Sequence, residues 1–186
     1  MSNTWINEYL ERYRKALFET DLQGELIAFK ELCEDLRNSG GKLLLAGNGA
    51  SASIASHGAT DFTKQGKVRS VCFNESNLIT AFANDYGYEY WVSEAVKAYG
   101  DAGDVAVMIS SSGSSANIVN GAKTAMEMGM KVVTFSGFGP ENPLKAIGDI
   151  NFWVESRAYN IIENTHQIWL TTVVDMLVGN AEYSVS

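Results

Sequence analysis

The chain is short of several things at once. Cysteine occurs only at Cys33 and Cys72, too few and too far apart for a disulfide framework or a zinc knuckle, so both read as buried free thiols. Proline occurs only as Pro140 and Pro143, and no linker-like tract divides the 186 residues. They therefore read as one domain, 1–186, with a helical hairpin over 1–40 and a core over 41–186. No window approaches the roughly 20 apolar residues of a membrane span. Basic residues are outnumbered, 14 against 22 acidic, and a net charge of −8 argues against nucleic acid as a partner. The opening MSNTWINEYLERYRKAL is charged throughout and has no apolar core of the signal-peptide kind, so cytoplasmic residence is expected. What is plentiful is apolar side chain, 46% of residues, which excludes a disordered chain.

The apolar residues fall into two periods. Asn3 to Thr20 places Trp5, Ile6, Tyr9, Leu10, Tyr13 and Leu17 on one helical face, broad and aromatic enough to suggest a partner subunit. Asp21 reads as the cap of a second helix with Leu22, Leu26, Phe29, Leu32, Cys33 and Leu36 inward, stopped by Asn38 to Gly41. Beyond Lys42, short apolar runs alternate with helical stretches. Strands are predicted at 43–46, 68–73, 105–109, 131–136 and 151–154, with helices between them at 52–64, 76–83, 89–99, from about 116, and at 144–147. Asn84 to Gly87 reads as an interruption, and a long helix from Asn160 to Asn180 closes the chain. Such alternation implies a parallel sheet of about five strands covered on both faces, with ligands outside the carboxyl ends of the strands.

The stretch that organises the rest is Asp104 to Asn120, DVAVMISSSGSSANIVN. Val105 to Ile109 form an unbroken apolar strand, five hydroxyls and Gly113 follow within Ser110 to Ser115, and a helical pattern then begins. A helix start offers unpaired amides and the positive end of a dipole, so hydroxyls and a glycine placed there outline a phosphate cradle. A second glycine loop, Gly47 to Ala52, fits the dinucleotide pattern G-x-G-x-x-A. That pattern also wants an acid at the tip of the next strand, and Glu75 comes one step late after Asn74. A dinucleotide is therefore not expected.

GNGASASIASHGATDF from Gly47, NDYG at Asn84 to Gly87 and ISSSGSSANI at Ile109 to Ile118, in that order, resemble the sugar isomerase (SIS) domain family, and within it the phosphoheptose isomerase branch. The resemblance implies a flavodoxin-like three-layer α/β/α domain preceded by an N-terminal helical hairpin. It also implies a homotetramer whose sugar-phosphate sites are shared between subunits. It carries phosphate contacts onto Ser110, Ser111, Ser112 and Ser115, and sugar contacts onto Asn48, Gly49, Ala50, Asn84 and Asp85. The implied reaction turns sedoheptulose 7-phosphate into a heptose 7-phosphate by moving a proton between adjacent carbons, which needs a base beside the carbon.

The residues for that chemistry depart from the family's pattern. His57 and Asp61 stand four apart on one helix and can ligate zinc together, with Asp61 shorter than the glutamate of the family's His-x-x-x-Glu. In the last helix the family reads roughly I-Q-E-x-H-x-x-x-x-H. Here Glu163 replaces the glutamine and Thr171 the final histidine, and threonine is no acid or base near neutral pH. The expectation is a weakly held zinc at His57, Asp61 and Glu163, with Asp61 and Glu163 as the catalytic carboxylates. His166 reads as structural, and Gln167 lies one turn beyond Glu163, able to point inward. Two readings stay open: an isomerase with a rearranged base set, or a non-catalytic sugar-phosphate-binding adaptor or regulator such as a replication-initiator partner.

Overall fold

Five parallel strands, β1 (Lys42–Gly47), β2 (Arg69–Cys72), β3 (Val105–Ser110), β4 (Lys131–Ser136) and β5 (Ile150–Trp153), form one sheet in the order β2-β1-β3-β4-β5. They belong to a computed structural model whose described residues are 3–184. From β1 the chain steps outward to β2 and then returns to pair β3 on the other side of β1. The carboxyl ends of β1 and β3 are thus a topological switch point, where crevices open in sheets of this kind.

The period of two divides each strand between two cores. Leu43, Leu45, Val105, Val107, Ile109, Val133 and Phe135 face one side, against α2 (Gln23–Ser39), α3 (Ala50–Lys64) and α7 (Tyr159–Val178). Leu44, Ala46, Ala106, Met108 and Val132 face the other, against α5 (Trp91–Tyr99) and α6 (Ala116–Glu127), with α4 (Ser76–Tyr86) at its margin. The β3 strand is buried along its whole length, as its apolar run requires. The three-layer α/β/α arrangement agrees with the sequence reading, and the hairpin of α1 (Asn3–Phe18) and α2 precedes it.

Several local expectations are corrected. Leu22, not Asp21, occupies the cap of α2; Asp21 Oδ1 accepts instead from the Gln23 amide at 3.4 Å. Asn84 and Asp85 do not interrupt a helix but form the last turn of α4, which ends only at Gly87, φ +91°. The following helix starts at Trp91, two residues later than predicted. Residues 144–147 make turns rather than a regular helix: the Asn142 side chain takes the Lys145 amide at 2.9 Å and the Ala146 amide donates to the Asn142 carbonyl at 3.3 Å, but the single turn runs straight into Gly148 and β5. Glu75, one step late for a ribose, caps α4 by accepting from the Leu78 amide at 2.9 Å.

Candidate functional site

The site grows from the two loops at the switch point. β1 ends in Gly47, where an added Cβ would come within 2.5 Å of the Ser51 backbone, so strand and helix can join this tightly only through glycine. Gly49 then takes φ +55° and α3 starts at Ala50, its first amides opening toward the crevice. On the second loop β3 runs into Ser110 and Ser111, and Gly113 turns the chain at φ +66°. A Cβ at Gly113 would overlap the Asn142 side chain. Ser115 sits at the cap of α6 without capping it, because its Oγ accepts instead from the Ser110 hydroxyl at 3.0 Å.

Asn48, Ser51, Ser110, Ser111, Ser112, Ser115, Tyr159 and Glu163 surround one cavity of about 150 Å³. Five serine hydroxyls lie beside two helix starts, and no lysine or arginine is among the lining residues. An anion here would be neutralised by amides, hydroxyls and helix dipoles rather than by a cation. Glu163 is the one carboxylate in the lining, and Ser111 Oγ donates to its Oε1 at 3.1 Å. That bond sets the Glu163 carboxylate at one side of the cavity, with Ser110, Ser112, Ser115 and the start of α6 at the other.

Of the residues singled out in the sequence, Asn48, the four serines and Glu163 come together. Gly49 and Ala50 shape the start of α3 beside them. Asn84 and Asp85 do not line the cavity; they are exposed at the end of α4, where Asn84 Nδ2 donates to Asp85 Oδ1 at 2.8 Å. Sequence reasoning missed Ser51, Tyr159, Tyr88 and Asn117. Tyr88 donates to Asn48 Oδ1 at 3.1 Å, and Asn117 exchanges amide hydrogen bonds with Asn48. Asn117 stands inside the motif ISSSGSSANI and Ser51 inside GNGASASIASHGATDF, so their signals were present; nothing in spacing marked Tyr88 and Tyr159.

His57 Nε2 and Asp61 Oδ2 do pair, at 3.0 Å, but away from this cavity. The helices α3 and α7 run side by side in the same sense. Ser51 and Glu163 share the cavity, Gly58 lies against Leu170, and Asp61 lies near Tyr183, whose phenol is pushed up by desolvation and then by Asp175 and Asp61. At 1.5 Å per residue, Asp61 is about 15 Å along α3 from Ser51. Among the described residues no three His, Cys, Asp or Glu side chains gather where they could hold a metal ion. The set His57, Asp61 and Glu163 is therefore not assembled within one chain, because Glu163 is turned to Ser111. Thr171 adds nothing, its hydroxyl donating to the Gln167 carbonyl at 2.9 Å. A single chain offers zinc two donors, one short of a three-ligand site.

His166 is structural. It is fully buried, Nε2 donates to the Ser136 carbonyl at 3.0 Å, and burial lowers its pKa to about 4. Gln167 does turn inward, with a buried Nε2 that has no partner among the described residues.

A parallel sheet in this order, with a serine cradle at its switch point, defines a class of sugar-phosphate folds, and the chain belongs to the SIS domain family, whose model matches residues 5–137. More particularly, it is 32% identical over 180 residues to the phosphoheptose isomerase of Campylobacter concisus, covering 93% of this chain and 95% of that one. The phosphoheptose isomerase structure from Francisella tularensis superposes with a TM-score of 0.88 at 27% identity, covering 97% of this chain and 100% of the other. That from Neisseria gonorrhoeae gives 0.85 at 30% identity, with 94% and 96% covered.

Proposed function

We propose that the chain is a phosphosugar isomerase of the phosphoheptose type, interconverting sedoheptulose 7-phosphate and a heptose 7-phosphate. The observation that carries this reading is Glu163, a carboxylate held by Ser111 inside the serine-lined cavity. The phosphate goes to the hydroxyls and the start of α6. The Glu163 carboxylate takes a proton from the hydroxyl-bearing carbon next to the ketone; the C–H electrons form a carbon–carbon double bond while the carbonyl π electrons pass to the carbonyl oxygen, giving an enediolate. The neighbouring hydroxyl passes its proton to that oxygen, and return of the carbon-bound proton from Glu163 to the former carbonyl carbon leaves an aldehyde at the neighbouring one. The Ser111 hydroxyl keeps the carboxylate aimed without neutralising it.

The assay is direct: incubate the protein with sedoheptulose 7-phosphate and follow the aldose. Turnover is expected in the wild type, with Glu163→Gln lowering kcat by about 10²- to 10⁴-fold, the worth of a general base. Binding of the ketose phosphate without turnover would instead establish the non-catalytic adaptor or regulator. The spent hydroxyl of Thr171 and the distance of Asp61 from the cavity favour that second reading.

Three further features belong to the proposal. The two free thiols suit a reducing, cytoplasmic compartment; among the described residues no helix is long and apolar enough to cross a membrane. The chain assembles as a homotetramer. Zinc, if it is held, is held by the His57 nitrogen and Asp61 carboxylate with the remaining positions filled from outside the chain. In that case added zinc raises the melting temperature of the wild type and leaves His57→Ala unmoved; equal shifts in both would remove His57 as a ligand.

A further inference from the structure

The loops that meet at the switch point are tied together by one side chain. Asn48 follows β1, and Asn117 lies in the first turn of α6, 2% exposed. Asn48 Nδ2 donates to Asn117 Oδ1 at 2.9 Å and Asn117 Nδ2 donates back to Asn48 Oδ1 at 2.9 Å. From the connection between α4 and α5, the Tyr88 hydroxyl donates to the same Asn48 Oδ1 at 3.1 Å. A primary amide has two donor hydrogens and two acceptor lone pairs. Both lone pairs of Asn48 are taken, one by Asn117 and one by Tyr88, and one of its two hydrogens is taken by Asn117. The remaining N–H has no partner among the described residues, and Asn48 lines the serine cavity.

We infer that Tyr88 and Asn117 are positioning residues that lock the Asn48 amide, so that it meets a ligand only as a hydrogen-bond donor. The inference rests on the isomerase reading given above. It deepens that reading by naming what the amide recognises: an acceptor oxygen, not a donating sugar hydroxyl. In a ketose the acceptor is the carbonyl oxygen, which becomes negative as Glu163 removes the neighbouring proton, and a fixed donor aimed there is worth more in the transition state than in the ground state. Turning the Asn48 amide over alone would set amine against amine and break both bonds to Asn117; turning both amides together would restore that pair but lose the Tyr88 donation to the Asn48 oxygen, which is why Tyr88 is the lock.

Tyr88→Phe is a narrow probe, because it deletes only the hydroxyl and keeps the ring, whose centroid lies 6.5 Å from that of Trp91. The experiment is a double-mutant cycle on the full chain, measuring kcat/KM for sedoheptulose 7-phosphate and the melting temperature of each variant. In the wild-type background Tyr88→Phe lowers kcat/KM about 3- to 10-fold, the worth of one hydrogen bond, with the melting temperature unchanged. In the Asn48→Ala background the same substitution changes nothing further. Asn117→Asp, which can still accept from Asn48 but cannot donate to it, shows the same dependence on Asn48. Equal losses from Tyr88→Phe in both backgrounds, or none in either, overturn the inference while the isomerase reading stands. A wild type that does not turn over the ketose phosphate overturns both.

Discussion

Of the two histidines, His166 has been removed from the chemistry by its surroundings. Its ring packs edge-on against Phe135, and its buried Nδ1 has no partner among the described residues, so protonation would place a charge where nothing among them solvates it. Folded, it resists a proton down to about pH 4, whereas an unfolded chain takes one near the ordinary value of 6.5. The folded pKa is depressed, so the unfolded state binds more protons between these values. Stability present above 6.5 therefore falls as the pH drops through that window, by about 3 kcal/mol in all. Urea unfolding at pH 7 and pH 4.5 measures the loss. His166→Gln keeps an N–H for Ser136 but no titrating ring, and its stability should depend on pH less steeply by that amount. At this scale Glu163 and the serines were readable, because motif and chemistry coincide in one short stretch. Tyr159 was not, since only folding brings it within reach of residues far away in the chain.

Among elements, the cradle depends on a backbone more than on its hydroxyls. Gly113 holds a left-handed conformation and leaves room for Asn142, whose amide donates to Ser136 Oγ at 3.1 Å and to the Gly139 carbonyl at 2.9 Å. The Leu144 amide then donates to the Gly113 carbonyl at 3.0 Å, so the turn after β3 and the turn after β4 brace each other. Gly113→Ala should cost about 1–3 kcal/mol in urea unfolding and weaken sugar-phosphate binding by more than the stability loss alone explains. Ser114→Ala, at the exposed tip of the same loop, is the control and should leave both nearly unchanged. Strand boundaries were legible to within a residue or two because buried apolar runs leave little freedom. The end of α4 was misread because Asn84 and Asp85 have the composition of a breaker; what stops the helix is the φ of Gly87.

At the scale of the molecule, α1 is held to α7 by Tyr13, which donates to the Asn160 carbonyl at 3.2 Å, and packs Ala16 and Leu17 against the core, yet it leaves an apolar face open. None of its side chains is buried, and Trp5, Ile6 and Leu10 are each about half exposed, while Trp5 and Tyr9 stack on one another at 5.2 Å rather than on the core. The exposed Phe18, Ile27 and Ile168 extend the apolar surface over α2 and α7. A surface of that kind in a charged, acidic chain is expected to be covered by other copies of itself. Sedimentation should therefore give a tetramer of the 20.3 kDa chain at micromolar concentration, and Leu10→Arg should shift it to smaller species. A wild type that sediments as a monomer would contradict this.

What the sequence determined by itself is everything carried by local period and local chemistry. The alternation of strand and helix, the glycines at the ends of β1 and β3, the serine run and the family they resemble are all properties of neighbouring residues. What the tertiary structure decided is which distant side chains share a space. Glu163 lies in the cavity because α7 starts over the ends of β1 and β3, and Asp61 lies outside it because α3 carries it two to three turns further along the same direction. In the sequence both were carboxylates beside a family motif. Only the packing of α3 against α7 turned one into a carboxylate facing a serine cradle and the other into the partner of a surface histidine.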